Sequence, residues 1–471
     1  MILALSGLLI FALVGLFARG TPQRAAGTGS LAPPANDLHV AFAALLTAGS
    51  FWFWCSVVAS AAQAQRPFPA WFATLPLLVI DDRAPRYGNA PFGALAGLAA
   101  ALATLGLCGT FFALRNRRLV PRTWAILGAA CAVMATIALR APALTSFDLY
   151  AYAGAARAGL PGGYAPSDVR FGGTWAALNA IYGNPIVPSP YGPLWLGLSH
   201  ALTDRAPSLG FALETLRVLE LGALACSLVA LRALRLPPQA LALFALDPAL
   251  FANFVVDGHN DILAIAFVLA AAALRERAWP LAVLLAACAA GVKLPFVVIA
   301  PLAFAGEPSA KKRLAFASAT VVAGCGLSLA GGPQYLAALR ATFALYGATL
   351  ADPATVVLKS ALLACAVAAV VAAMVRRRFV PTLSWTFVAF GASLFGWYLA
   401  WGIPYAVAER RWLPGFLIAL PSLGYLLSTS FAATAVSTIA LPLALVVAPA
   451  FAYAAILRER RGERRSVMTS S

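Results

Sequence analysis

The sequence predicts an all-α polytopic membrane protein, and three observations carry that reading. Hydrophobic residues make up 62% of the 471-residue chain and charged ones 11%, against roughly 25% charged in an ordinary soluble domain. Apolar stretches close to the ~20 residues that cross a bilayer recur from end to end. The basic residues gather in short clusters between those stretches. A net charge of +17 on one face would point to a polyanion. Spread through short loops it marks the cytoplasmic side instead, and no nucleic-acid partner is expected.

Holding every basic cluster inside fixes a path for the chain. Residues 2–18 have no basic residue ahead of them, with Arg19 and Arg24 behind. They read as an uncleaved helix running inward rather than a signal peptide. Residues 40–62 run outward and 91–114 return to the loop of Arg115, Arg117, Arg118 and Arg122. These helices make an appended N-terminal unit, residues 1–121. Residues 123–139 then exit and open a core at 122–456. The segment 141–208 stays outside, a long outer loop after the fourth helix. It is rich in Gly, Pro and aromatics, so short helical pieces are expected there rather than disorder.

Residues 209–231 return, 241–256 exit, and DGHND (257–261) falls at the outer boundary. Residues 262–274 return and 280–292 exit to Lys293-Leu294-Pro295. Because Lys311, Lys312 and Arg313 must be inside, 296–306 has to come back in too few residues for a span. The same holds for 398–408, ahead of Arg410 and Arg411. Such short segments belong where protein or a cavity surrounds them. Residues 331–352 form a further outer segment, 354–375 and 432–456 are apolar runs, and 457–471 make a basic cytoplasmic tail. The whole path holds about 13 to 15 transmembrane helices.

Polar groups from separate segments converge on the outer face. They are Asp148 with Tyr150, Tyr152 and Arg157; residues 184–195 with Tyr191; Asp257, His259 and Asn260 of DGHND; Lys293; Arg340; and Trp397, Tyr398 and Trp401. Each has a plainer reading alone. Asp148 suits a helix N-cap, the aromatics an interfacial belt, Lys293 a snorkelling side chain and His259 a polar contact. The seven cysteines are scattered singly and the three histidines dispersed, which argues against disulfides and a zinc centre.

One well-placed acid, several cations and many aromatics suit transfer of a sugar from a lipid phosphate. The phosphate leaves as an anion needing little protonation. The acceptor hydroxyl needs a base, Asp148, and the phosphate needs cations and donors such as Lys293, His259 or Arg340. No cofactor is required on this reading. A divalent metal held by Asp257 or Asp261 stays open as a substitute. A transporter or flippase of lipid-linked sugars is the alternative from another class, since broken helices also build transport sites.

FDLYAYAGAARAG, SPYGPLW, DGHNDILA, AAGVKLPFVVIAPL and WYLAW together resemble the bacterial polyprenol-phosphate-mannose-dependent α-mannosyltransferases. These are integral-membrane enzymes of the GT-C superfamily. The likeness runs in order from about residue 123 to 404, although GGYAP stands where the family often has Asn-Pro-Tyr. It implies a GT-C fold whose essential acid, in the first outer loop of the core, is Asp148. It further implies an inverting transfer from a polyprenyl-phosphate sugar to a glycolipid or glycan acceptor. Membrane lipids then surround the enzyme, in the bacterial cytoplasmic membrane with its site facing outward.

Overall fold

A computed structural model of the chain describes residues 34–63, 90–114, 117–142, 146, 148–165, 170–182, 188–349, 353–376, 387, 390 and 396–404. Among them the chain is helical, with no strand and a single isolated bridge between Pro34 and Arg118. A lipid-facing backbone must satisfy its own polar groups, which leaves the helix or the closed barrel. Runs rich in alanine and leucine choose the helix. The expected spans at 2–18 and 432–456, and the tail, lie outside the described residues.

Helices α1 (Asp37–Gln63), α2 (Ala90–Leu114) and α3 (Pro121–Arg140) pack together. Asp37 accepts the Thr123 hydroxyl at 2.6 Å, tying the start of α1 to the start of α3. The windows Asp37–Ala59, Leu95–Leu114 and Pro121–Arg140 are long and apolar enough to cross a membrane. Two bent helix pairs raise that number from 3 to 5 among the described residues.

The long loop then folds into short pieces: α4 (Asp148–Ala158), α5 (Ala177–Tyr182), α6 (Pro193–Thr203) and two 3-10 turns. Tyr150, Tyr152, Tyr164, Trp175 and Trp195 are all buried, so aromatic burial holds this segment on the bundle. Ser208 caps α7 (Leu209–Ala233) by accepting the Phe211 N–H at 3.2 Å. This helix carries Glu214, Arg217, Glu220 and Arg232, and both Arg217 and Glu220 are buried.

The expected single span at 241–256 is broken in two. Helix α8 (Pro238–Ala245) stops and a new turn starts at Pro248, bent by 43°. Proline has no N–H to continue the ladder, and Asp247 restarts it by accepting the Ala249 N–H at 2.9 Å. The turn widens into a π-helix, Phe251–Val256. Then come α9 (Asp261–Leu274), α10 (Trp279–Val292) and the short α11 (Phe296–Ile299), which tightens into 3-10 helix over Ala300–Phe304. That short return is buried from Ile299 to Phe304, matching a segment enclosed by protein. Helix α12 (Ala310–Leu329) turns by 93° into α13 (Gly332–Thr349), and α14 (Pro353–Arg376) follows. A stretch of 3-10 helix, Gly396–Gly402, holds WYLAW. The second expected short return is described only as far as residue 404.

Two glycines let the ends of these helices meet. Gly258 turns with φ +68°, and a Cβ there would lie 2.5 Å from Leu149 Cδ1, so the DGHND loop rests on the start of α4. Gly192 donates its N–H to Val292 O at 2.8 Å. A Cβ on Gly192 would sit 2.1 Å from Gly291 O, which brings Tyr191 beside Lys293. Gly192→Ala is expected to cost roughly 1–3 kcal/mol through overpacking, seen as a lower thermal midpoint of the detergent-purified protein. Gly326→Ala, with nothing within 4 Å, should leave the midpoint unchanged or raise it; equal midpoints for both variants would contradict this close approach.

Candidate active site

The first residue of α4 is Asp148. Its N–H donates to Ser146 Oγ at 3.0 Å, so Ser146 serves the helix start and the Asp148 carboxylate points elsewhere. Tyr191 OH donates to Asp148 Oδ2 at 2.8 Å, and His259 Nδ1 meets the same oxygen at 3.1 Å. Among the described residues no hydrogen bond reaches Oδ1, and the side chain is 32% exposed while His259 is fully covered. One oxygen is held and the other faces outward.

A second cluster adjoins this one. Asp261 lies in the first turn of α9, where the helix dipole favours an anion. Its Oδ1 accepts Lys293 Nζ at 2.8 Å and Trp401 Nε1 at 2.6 Å. The ammonium also stands over three rings, 4.8 Å from Tyr398, 5.2 Å from Trp401 and 5.5 Å from Tyr191. The ring faces add cation–π attraction to the Asp261–Lys293 ion pair and fix where the ammonium stands. Tyr191 belongs to both clusters, with its hydroxyl on Asp148 and its face toward Lys293. Tyr152 braces it edge-on at 4.7 Å and meets Trp195 at 4.9 Å.

The structure therefore brings together Asp148, Tyr152, Tyr191, His259, Lys293, Tyr398 and Trp401. The other residues singled out from sequence are placed differently. Tyr150 and Asp257 are buried within electrostatic reach of Arg217. Asn260 is buried beside the cluster, and its amide has no hydrogen-bond partner among the described residues. Arg157 donates to the Asp204 carbonyl and lies 5.2 Å from the Trp175 ring centre. Arg340 is exposed on α13, with no described contact to the cluster. The Trp397 side chain lies outside the described residues. His259, expected to face the phosphate, turns its Nδ1 to Asp148. For a metal, Asp261 is already occupied by Lys293 and Trp401, and among the described residues no three potential ligands gather.

Sequence reasoning overlooked the charges inside α7. Glu214, Arg217 and Glu220 recur every third residue along an otherwise apolar run, a spacing that places neighbours on one helix face. That spacing was the available signal.

Burial pushes the Asp148 carboxyl up, but the hydrogen bond and electrostatic pull of His259, then Tyr191 and Lys293, outweigh it. The result is a pKa lowered from 3.8 to about 2. Burial, and next the Asp148 charge, push the Tyr191 phenol well above its ordinary value, so it stays a donor. A depressed carboxyl stabilises the fold above its unfolded pKa, and that stability fades as pH falls from 3.8 through about 2. In His259→Ala the upward push of burial remains without its main counterweight. The Asp148 carboxyl should then titrate at higher pH, as read by its 13C shift in nanodiscs; an unmoved titration would show that His259 does not hold it.

Residues 43–306 match the family described as "MptA_B_family: Alpha-(1->6)-mannopyranosyltransferase, N-terminal domain". No curated protein and no solved structure matches the chain. The matched region takes in Asp148, Tyr191, His259, Asp261 and Lys293 and covers more than half the sequence. The all-helical bundle and the match together make this chain a mannosyltransferase belonging to the MptA_B family.

Proposed function

We propose that this mannosyltransferase takes mannose from a polyprenyl-phosphate carrier and passes it, with inversion, to a hydroxyl of a glycolipid or glycan acceptor. The observation that carries this reading is the two-sided Asp148 carboxylate. Oδ2 is fixed by Tyr191 and His259, and Oδ1 is left toward the exposed side. An acceptor O–H arriving at Oδ1 gives up its proton there as its oxygen attacks the sugar C1. The bond from C1 to the phosphate oxygen breaks, and its electron pair leaves with the phosphate. The Lys293 ammonium, held in place by Asp261 and three rings, lies close enough to lower the Asp148 pKa and so to feel a phosphate beside it. A preorganised cation of this kind stabilises the leaving anion without having to reorganise.

The fold type proposed is that of the GT-C enzymes, with the site on the outer face of the bacterial cytoplasmic membrane. That placement follows from the basic loops, which keep the opposite helix ends inside. A lipid donor keeps its tail in the bilayer and its phosphate at the interface, where Lys293 meets it with no charge crossing hydrocarbon. Tyr398 and Trp401 supply ring faces for the sugar or the first isoprene units.

Asp148→Asn should lower mannose transfer from polyprenyl-phosphate mannose by at least roughly 10²–10⁴-fold while binding of the donor lipid persists. Retention of activity within a few-fold would remove Asp148 as the base. Lys293→Met should raise the donor concentration needed for half-maximal rate; an unchanged donor titration would take Lys293 away from the phosphate.

A further inference from the structure

Arg217 lies on α7, 1% exposed, and takes no part in the chemistry just described. A guanidinium out of water is costly unless its N–H groups find acceptors. Where it places them therefore shows what it is for. Nη1 donates to Ala141 O and Nη2 to Val256 O, each at 2.6 Å. Ala141 is the C-cap of α3, and Val256 is the last residue of the π-helix. Both carbonyls are thus at helix C-termini, which lack intrahelical partners and favour a cation.

In sequence, Ala141 stands seven positions before Asp148, and Val256 stands three before His259, across Gly258. Tyr150, on α4 two residues past Asp148, and Asp257, next to Val256, lie within electrostatic reach of the same guanidinium. Arg217 therefore holds together the backbone seven positions before Asp148 and three before His259, the two residues whose side chains meet at 3.1 Å. The planar fork of arginine fixes the separation and angle of two acceptors at once, which a lysine ammonium on a flexible stem does not.

We propose that Arg217 is a positioning residue for Asp148, setting through the Ala141 and Val256 carbonyls the distance between the base and His259. The inference rests on the reading of Asp148 as the base. Loss of the fork then separates His259 from Asp148 and returns the carboxyl to higher pKa, without touching the donor.

The test compares wild type, Arg217→Lys, His259→Ala, the double variant and Asp148→Asn in nanodiscs. Mannose transfer from polyprenyl-phosphate mannose to a lipid-extract acceptor is followed against pH. Arg217→Lys is expected to lose up to about 10²-fold in kcat, the scale of an ångström misplacement, with KM for the donor unchanged. Its kcat/KM acid limb should move to higher pH, in the direction of His259→Ala, and the double variant should move no further. An Arg217→Lys enzyme of reduced thermal stability but unmoved acid limb would overturn the proposal, as would a change in donor KM alone. If Arg217→Lys does not accumulate, Arg217→Gln replaces it; failure of both to fold assigns Arg217 to folding only and overturns the proposal equally. Full activity in Asp148→Asn would instead remove the base assignment on which it rests, whereas an inactive Asp148→Asn with an unmoved Arg217→Lys profile removes this inference alone.

Discussion

A carboxylate at the edge of an apolar bundle stays charged only if donors come to it, and the helices around Asp148 are arranged to bring them. Tyr191 arrives on the segment before α6 and His259 on the loop before α9, both meeting the same oxygen. Each approach requires a glycine. Gly258 clears Leu149 under the His259 loop, and Gly192 lies flat on Gly291 so that Tyr191 reaches both Asp148 and Lys293. Packing, electrostatics and the proposed chemistry therefore rest on one shared oxygen.

The depressed pKa has a cost for the reaction. A carboxylate held near 2 is ionised at any working pH, yet it is a weak proton acceptor, since a general base serves best with a pKa near the operating pH. The aromatic box supplies a resolution on the proposed reading. The smallest part of the downward pull on Asp148 comes from Lys293, after His259 and Tyr191, and a phosphate beside that ammonium would offset that part of the field. On the proposed reading a donor phosphate there would make Asp148 a slightly stronger base, with His259 and Tyr191 still holding most of its charge.

The helical class was legible because composition and the period of apolar runs depend on local chemistry alone. That Asp148, Tyr191, His259, Lys293 and Trp401 belong to one neighbourhood was legible too, because each falls at the edge of an apolar run. Partner identity was not. The contacts of Asp148 with Tyr191 and His259 join residues 43 and 111 positions apart, and side-chain direction at that range is set by helix packing. His259 looked like a phosphate ligand for that reason, and Arg340 looked equivalent to Lys293. Asp148 as a helix cap was a fair local reading that Ser146 displaced. The break at Asp247-Pro248 was visible in the residues, but apolar continuity across 241–256 concealed it.

The charges of α7 also bear on how the protein is made. A helix with Arg217 and Glu220 in its middle is a poor candidate to settle in lipid alone, since each central charge costs about 2.5–3.5 kcal/mol on insertion. One acceptor for Arg217, Ala141 O, lies 76 residues upstream and is already synthesised; the other, Val256 O, lies 39 residues downstream. The Arg217 guanidinium is therefore satisfied only where α3, α7 and the π-helix are packed together, which makes this helix dependent on its neighbours.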